Sequence, residues 1–174
     1  VTLPDLPYAS LNNVVLAEAA AAFEDLTLTG RDDELGWQDD AAWPNLFRAA
    51  HLLSAVDHVQ LDRLRTRVMQ ALDALFAEID VLVGPPFAGP MLIASNFTGH
   101  PCLHLRAGFT EEKTRAGGTL SVGGNKAPGA AKGKFRVPHG VSLWSGLYRE
   151  DRLLEVGQAL EKALGVAAER PKGY

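Results

Sequence analysis

The chain of 174 residues has very little cysteine, with Cys102 as its single copy, so no disulfide can form within it. Such low cysteine usage is typical of a reducing compartment, and we therefore expect a cytoplasmic protein. Long apolar runs are also missing. Since a membrane-spanning helix needs roughly 18 consecutive apolar residues, we expect no membrane span. The first residues, VTLPDLPYASLNN, lack both the basic start and the apolar run of a signal peptide.

Positive charge is scarce as well. There are 17 Lys and Arg residues against 21 Asp and Glu residues, which gives a net charge of −4. A general nucleic-acid surface needs clustered Lys and Arg, so we expect no DNA partner. The remaining composition, 47% hydrophobic and 22% charged, is ordinary for a globular protein. The length is sufficient for one domain with a real core.

Apolar periodicity predicts the order of helices and strands. A first helix begins at a cap on Asn12 or Asn13 and ends before Gly30, and a long helix starts at Pro44, with a break possible near Ser54. Short β-branched or alternating runs predict strands, and a helical turn separates two of them. The remaining predicted elements are strands at 81–84, 102–109 and 139–148, a helical turn at 91–97 and a last helix at 151–164.

This order predicts an α/β fold, with a small mixed sheet flanked by the long helix and the C-terminal helix. We expect residues 1–174 to form a single α/β segment, with residues 110–137, rich in Gly, Lys and Ala, as a flexible insertion. One interpretation of that insertion is a hairpin around TLSVGG (119–124). A sheet of three or four short strands has open edges, which indicates that more chain or a partner completes it.

Three patterns suggest chemistry, and each has a simpler structural interpretation. Ser54, His58 and Asp62 share one side of a helix, but a helix offers no oxyanion hole, so we favour a polar face. GAAKGK (129–134) is one residue short of a phosphate loop. Cys102 is expected to be a buried structural thiol. The five histidines lack metal-ligand spacing, so no metal or cofactor is expected; they are His51, His58, His100, His104 and His139.

Four collinear segments resemble the C-terminal part of amidase-signature hydrolases. The first is AEAAAAFEDL (17–26), followed by WPNLFRAAHLLSAVDHVQLDRLRTRVMQALDALFAEIDVLVGPPF (43–87) and by NFTGHPCLHLRAGF (96–109). The last strand and helix match the family in order and spacing. Arg106 departs from the family, which often has proline in that strand. Each segment alone is weakly specific, and their order carries the resemblance.

The resemblance implies a serine hydrolase that cleaves the carboxylic amide bond of a small-molecule substrate. The family uses a serine nucleophile, a second serine in a cis peptide bond and a lysine base, within a Gly/Ser-rich region. This chain has no match to that region, since GGTLSVGGNK (117–126) lacks adjacent serines. We therefore assign none of the family's catalytic roles to a residue of this chain, and we expect the chain to be inactive alone. It supplies structural support and a pocket wall, for which the candidates are Arg48, Asn96, Phe97, Thr98 and Trp144.

The implied partner is either an N-terminal half that carries the catalytic residues or a second copy of the chain in a homo-oligomer. A start at Val1 rather than Met fits a portion of a longer protein, and removal of a tag or of an initiator methionine would give the same start. Two other functions stay open. One is that of an amidotransferase component, similar to the amidase-type subunit of enzymes that act on aminoacyl-tRNA. The other is that of a non-catalytic assembly module that uses its open sheet edge.

Overall fold

The computed structural model describes residues 1–86, 89–113 and 134–170. These residues divide into two compact units. One unit contains residues 10–64, and the other contains residues 1–9, 65–86, 89–112 and 135–170. Each unit has buried apolar side chains, and each is described below by itself.

The unit of residues 10–64 is helical. It begins with α1 (Asn12–Ala22) and α2 (Glu24–Leu28), where the sequence predicts one continuous helix. The break lies at Phe23, whose ring instead stacks on Phe47 with a centroid distance of 5.3 Å. The predicted Asn cap is wrong, because no side chain caps α1. Gly30 has a φ of 72°, a left-handed conformation that suits glycine and stops the helix as predicted.

The predicted long helix is two helices, α3 (Trp43–Ala50) and α4 (Ala55–Phe76). Pro44 lies in the first turn of α3, where its missing N–H costs nothing. Ser54 begins α4: its Oγ accepts a hydrogen bond from the Asp57 N–H at 3.0 Å. The break near Ser54 therefore comes from capping, since a new cap satisfies N–H groups that a continuous helix would bond internally.

The second unit contains a three-stranded antiparallel sheet in the order β1-β3-β2. The strands are β1 (Leu82–Gly84), β2 (Cys102–Lys113) and β3 (Lys134–Trp144). β1 pairs with β3 so that Leu82 faces Trp144 and Gly84 faces Ser142. The α/β fold class is thus confirmed, although the strands are antiparallel where the sequence predicts a mixed sheet.

The predicted insertion, 110–137, has both of its ends in strands. Residues 110–113 continue β2, and residues 134–137 begin β3. The remaining residues of this segment lie outside the described part of the chain. The TLSVGG hairpin and most of the GAAKGK motif lie there too, so both stay predictions.

Helices cover the sheet. α5 (Pro90–Thr98) ends at Gly99, whose φ is 78°, and α6 (Glu150–Leu164) ends at Gly165. α6 contacts β2 closely at Gly157, where a Cβ atom would collide with the Leu103 side chain. The buried apolar side chains of this unit are Tyr8, Val68, Leu72, Met91, Ala94, Leu143, Trp144 and Leu153.

One apolar stripe of the helical unit is not buried. Leu52, Val56 and Val59 recur at helical spacing, yet they are 87%, 68% and 51% exposed. Periodicity identifies an apolar face but does not supply the surface that covers it. We call these three residues the exposed stripe. None of the helices in residues 1–86, 89–113 and 134–170 combines the length and the apolar composition needed to cross a bilayer.

Candidate functional site

An apolar pocket forms where the end of β1, the start of α5 and the end of β3 meet. Its cavity volume is about 210 Å³. Strand pairing brings Leu82 and Gly84 beside β3, and Pro90 starts α5 so that Met91 lies in its first turn. The described lining residues are Val1, Leu3, Leu82, Val83, Gly84, Pro85, Gly89, Pro90, Met91 and Trp144.

Trp144 is the fixed wall of this pocket. The residue is buried, and its indole Nε1–H donates to the Ser95 Oγ at 3.2 Å. On the neighbouring strand, a Cβ at Gly84 would lie 3.1 Å from the Trp144 ring. Glycine at this position therefore leaves room for the indole against the β1 backbone. Contacts on both sides hold the ring in one orientation.

The chemistry of the pocket is apolar. All ten described lining residues carry aliphatic, thioether or aromatic side chains, or are glycine or proline. The one polar side-chain group among them, the Trp144 N–H, already has Ser95 as its acceptor. The volume is below the roughly 300–1,000 Å³ of typical clefts for drug-sized ligands. The pocket therefore suits a small apolar group.

The structure brings together only part of the predicted wall. Among the five candidates, Trp144 lines the pocket. Asn96 is exposed at the end of α5, Phe97 is half-buried and Thr98 is buried. The Thr98 hydroxyl donates to the Ala94 carbonyl at 2.7 Å, which fixes the last turn of the helix.

Arg48 belongs to the helical unit of residues 10–64, and its guanidinium is occupied by ion pairs. Its Nη2 lies 2.5 Å from Asp32 Oδ2 and 2.6 Å from Asp33 Oδ1, and its Nη1 donates to Asn45 at 3.0 Å. Asp32 is buried, which is unusual for a carboxylate unless a cation pairs with it. The contact with Asp32 is ionic, because the carboxylate oxygen lacks hydrogen-bond geometry toward the guanidinium.

His100 is buried beneath the end of α5 and stacks on Phe76 with a centroid distance of 5.5 Å. Its Nδ1 lies 2.7 Å from the Thr98 hydroxyl. Since that hydroxyl donates to Ala94, Nδ1 carries the proton, and Nε2 is a buried acceptor without a partner. Burial lowers the pKa of His100, opposed in part by the charge of Asp73.

Two further predictions concern nucleophiles. The Ser54 hydroxyl donates to the Asp57 carboxylate at 2.7 Å, so it acts in the cap of α4. Cys102 is exposed, so the prediction of a buried thiol is wrong. It is the first residue of β2, on a face where His104 is also exposed. In the described ranges no group of three or more His, Cys, Asp or Glu residues is placed to hold a metal.

Most residues of the pocket are not among the wall residues predicted from the sequence. Met91 and Leu82 were predicted as members of an apolar helical turn and a buried strand, without a ligand-binding role. The signal that could have found them is the pair of glycine–proline steps, Gly84-Pro85 and Gly89-Pro90, which turn the chain twice within a few residues. The chain matches no protein-family model, no curated protein and no solved structure.

Proposed function

We propose that this chain is the C-terminal part of an amidase-signature serine hydrolase that acts on the carboxylic amide bonds of small molecules in the cytoplasm. The chain supplies a scaffold and an apolar wall for the acyl group. One observation carries the proposal: two of the segments that resemble the family meet at one pocket. They contribute Leu82 from the first strand and Trp144 from the last strand, and Met91 of α5, between two such segments, lines the same pocket.

In amide hydrolysis, the residues that carry out the reaction and the surface that binds the acyl group can lie on different segments. A serine attacks the carbonyl, the amine leaves, and water releases the acyl group from the acyl-enzyme. The acyl chain needs an apolar surface that fixes its orientation but takes no part in proton transfer. The pocket beside Trp144 offers such a surface. In this proposal the serine and its lysine base come from a separate polypeptide segment.

Exposed apolar surface supports the same proposal. The exposed stripe runs into the first two turns of α4, and Val83 on the sheet edge is 54% exposed. Clustered exposed apolar side chains mark interaction sites. The outer edge of β1 also offers backbone groups to a further strand. We assign each of these surfaces to contact with the catalytic segment of the enzyme.

The test compares the chain alone with the chain joined to the polypeptide encoded immediately upstream of Val1. The substrate is benzamide, whose amide bond a simple thiol does not cleave, and a fluorophosphonate probe detects a reactive serine. The chain alone is expected to give no turnover and no labelling, whereas the joined protein gives both. Turnover by a homogeneous sample of the chain alone, or an inactive joined protein, would contradict the proposal.

A second candidate is a non-catalytic assembly module, which the exposed stripe and the open sheet edge favour. The two functions predict different results for the joined protein. An assembly module associates in a concentration-dependent manner, as seen by analytical ultracentrifugation, and the joined protein lacks amidase activity. A hydrolase portion gives an active joined protein whatever its oligomeric state.

A further inference from the structure

The exposed thiol of Cys102 contacts one polar side chain, which in turn contacts a second. Residues two apart on a strand share a face, so Cys102 and His104 lie side by side on β2. Cys102 Sγ is 3.6 Å from His104 Nε2. On the other side of the ring, His104 Nδ1 is 2.7 Å from the Ser142 Oγ on β3. The order is thiol, imidazole, hydroxyl.

This order is the one that nucleophilic catalysis uses: a nucleophile, a base within reach, and a third group that orients the base. Ser142 is fully buried in the central strand, so its hydroxyl is a fixed anchor for the imidazole. Cys102 is exposed, so a reactant in solution can reach the sulfur. None of the three residues lines the pocket beside Trp144. The site is therefore independent of the proposed hydrolase function.

We propose that Cys102 is a nucleophilic thiol that forms covalent adducts with small α,β-unsaturated carbonyl compounds, with His104 as its base and Ser142 as a positioning residue. In the reaction, the S–H proton passes to His104 Nε2 while sulfur bonds to the β-carbon of the reactant. The π electrons of the alkene move toward the α-carbon, which then takes the proton from Nε2. The addition has no leaving group and requires no oxidant.

The protonation state of the sulfur makes the base necessary. Although Cys102 is exposed as a residue, neighbouring atoms displace part of the water around its sulfur. This desolvation raises the pKa of the thiol, so the neutral S–H form predominates at neutral pH. A thiolate is the reactive form. Proton transfer to His104 therefore has to accompany bond formation.

The proposal also specifies a tautomer. Nε2 accepts a proton only when it carries none, so Nδ1 must hold the ring proton and donate it to Ser142 Oγ. The distance of 2.7 Å fits that hydrogen bond. A soft, uncharged electrophile suits the sulfur, because a polarisable thiol reacts preferentially with electrophiles of that kind. N-Ethylmaleimide belongs to this class of reactant and serves as the probe.

The first experiment measures the rate of N-ethylmaleimide addition to the intact chain at about pH 7 by mass spectrometry. A free thiol is only a few per cent ionised there, so complete ionisation raises its rate by roughly 30-fold, and by more for a thiol whose pKa is raised. We expect the rate to fall roughly tenfold in His104→Gln. Cys102→Ser removes the only thiol and gives the blank, and His139→Gln, an exposed histidine on the same sheet, keeps the wild-type rate.

The second experiment measures the tautomer of His104 by nitrogen-15 NMR. Its main result comes from the wild-type chain and so does not depend on whether a variant folds. We expect the Nδ1–H tautomer in the wild type and a mixture of the two tautomers in Ser142→Ala. The rate of maleimide addition to Ser142→Ala is expected to fall about twofold, because half of the rings then present an N–H to the thiol. A His104→Gln chain that reacts at the wild-type rate, or an Nε2–H tautomer in the wild type, would overturn the proposal.

Discussion

At the scale of single residues, the buried His100 imidazole is a polar group held neutral by its surroundings. It donates to Thr98, stacks on Phe76 and leaves Nε2 without a partner. An unpaired buried acceptor costs stability, and a positive charge at the same place would cost more. Protonation of His100 therefore opposes folding.

This residue predicts an acid-dependent loss of stability. Because burial lowers the pKa of His100 in the folded chain, the unfolded chain binds the proton first as the pH falls. The free energy of unfolding is highest above the ordinary histidine pKa of about 6.5 and declines as the pH drops from there toward the lowered folded value. Urea unfolding is expected to show a larger decline from about pH 7.5 to about pH 5.5 in the wild type than in His100→Gln. Equal declines in the two proteins would rule out this role.

A second prediction at this scale concerns the buried carboxylate of Asp32. Replacing Arg48 with Met removes the cation 2.5 Å away and leaves that carboxylate unpaired. We expect a loss of about 1–3 kcal/mol in the free energy of unfolding, at the modest end for a charged group because Arg48 is partly exposed. Arg63→Met, on an exposed part of α4, is the control, with a change within about 0.5 kcal/mol. Urea titration measures both, and an equal effect of the two substitutions would contradict the assignment.

At the scale of elements, Gly157 allows α6 to pack against β2. Alanine usually stabilises a helix relative to glycine by about 1 kcal/mol. Here the added Cβ would collide with Leu103, so we expect Gly157→Ala to destabilise the chain by about 1–3 kcal/mol instead. Gln158→Ala, one residue further along the same helix and exposed, is the matched control and leaves stability nearly unchanged. Thermal unfolding by circular dichroism measures the sign; a stabilising Gly157→Ala would refute the close packing.

Much of the element order is predictable from the sequence because it depends on local chemistry. Gly99 and Gly165 end their helices with positive φ, as their positions predict. The strand lengths are less predictable: β2 and β3 extend to Lys113 and Lys134, beyond their apolar residues. Backbone hydrogen bonds to a neighbouring strand hold these polar ends in the extended conformation. Such pairing depends on residues distant in the sequence, so a local pattern does not predict it.

The candidate sites show the same limit. Trp144 was predicted as a wall residue, but its pocket needs β1 and α5 beside β3, which only the tertiary fold provides. The exposure of Cys102 could not be inferred either, because an alternating strand has two faces and the sequence does not say which one is covered. Asp32 shows a further limit: a charged residue is buried where Arg48, 16 residues away in the sequence, pairs with it, and the sequence does not indicate that pairing.

At the scale of the whole molecule, the apolar surface that remains exposed is as informative as the cores. The exposed stripe consists of large aliphatic side chains at helical spacing, the pattern of a helix face that packs against something. Stability alone does not require such a face in water. If the chain is a hydrolase portion, its catalytic segment covers the stripe.

This leads to a prediction for the proposed hydrolase. Val56→Lys places a charge in the centre of the stripe, and burying it against the catalytic segment without a partner is costly. We expect affinity for the separately produced catalytic segment to fall at least about tenfold, or about 1.4 kcal/mol, while the fold of the chain is unchanged. Gln60→Lys adds the same charge at an exposed polar position of α4 and is expected to bind normally. Isothermal titration calorimetry measures both affinities, and tight binding by Val56→Lys would show that the stripe lies outside the interface.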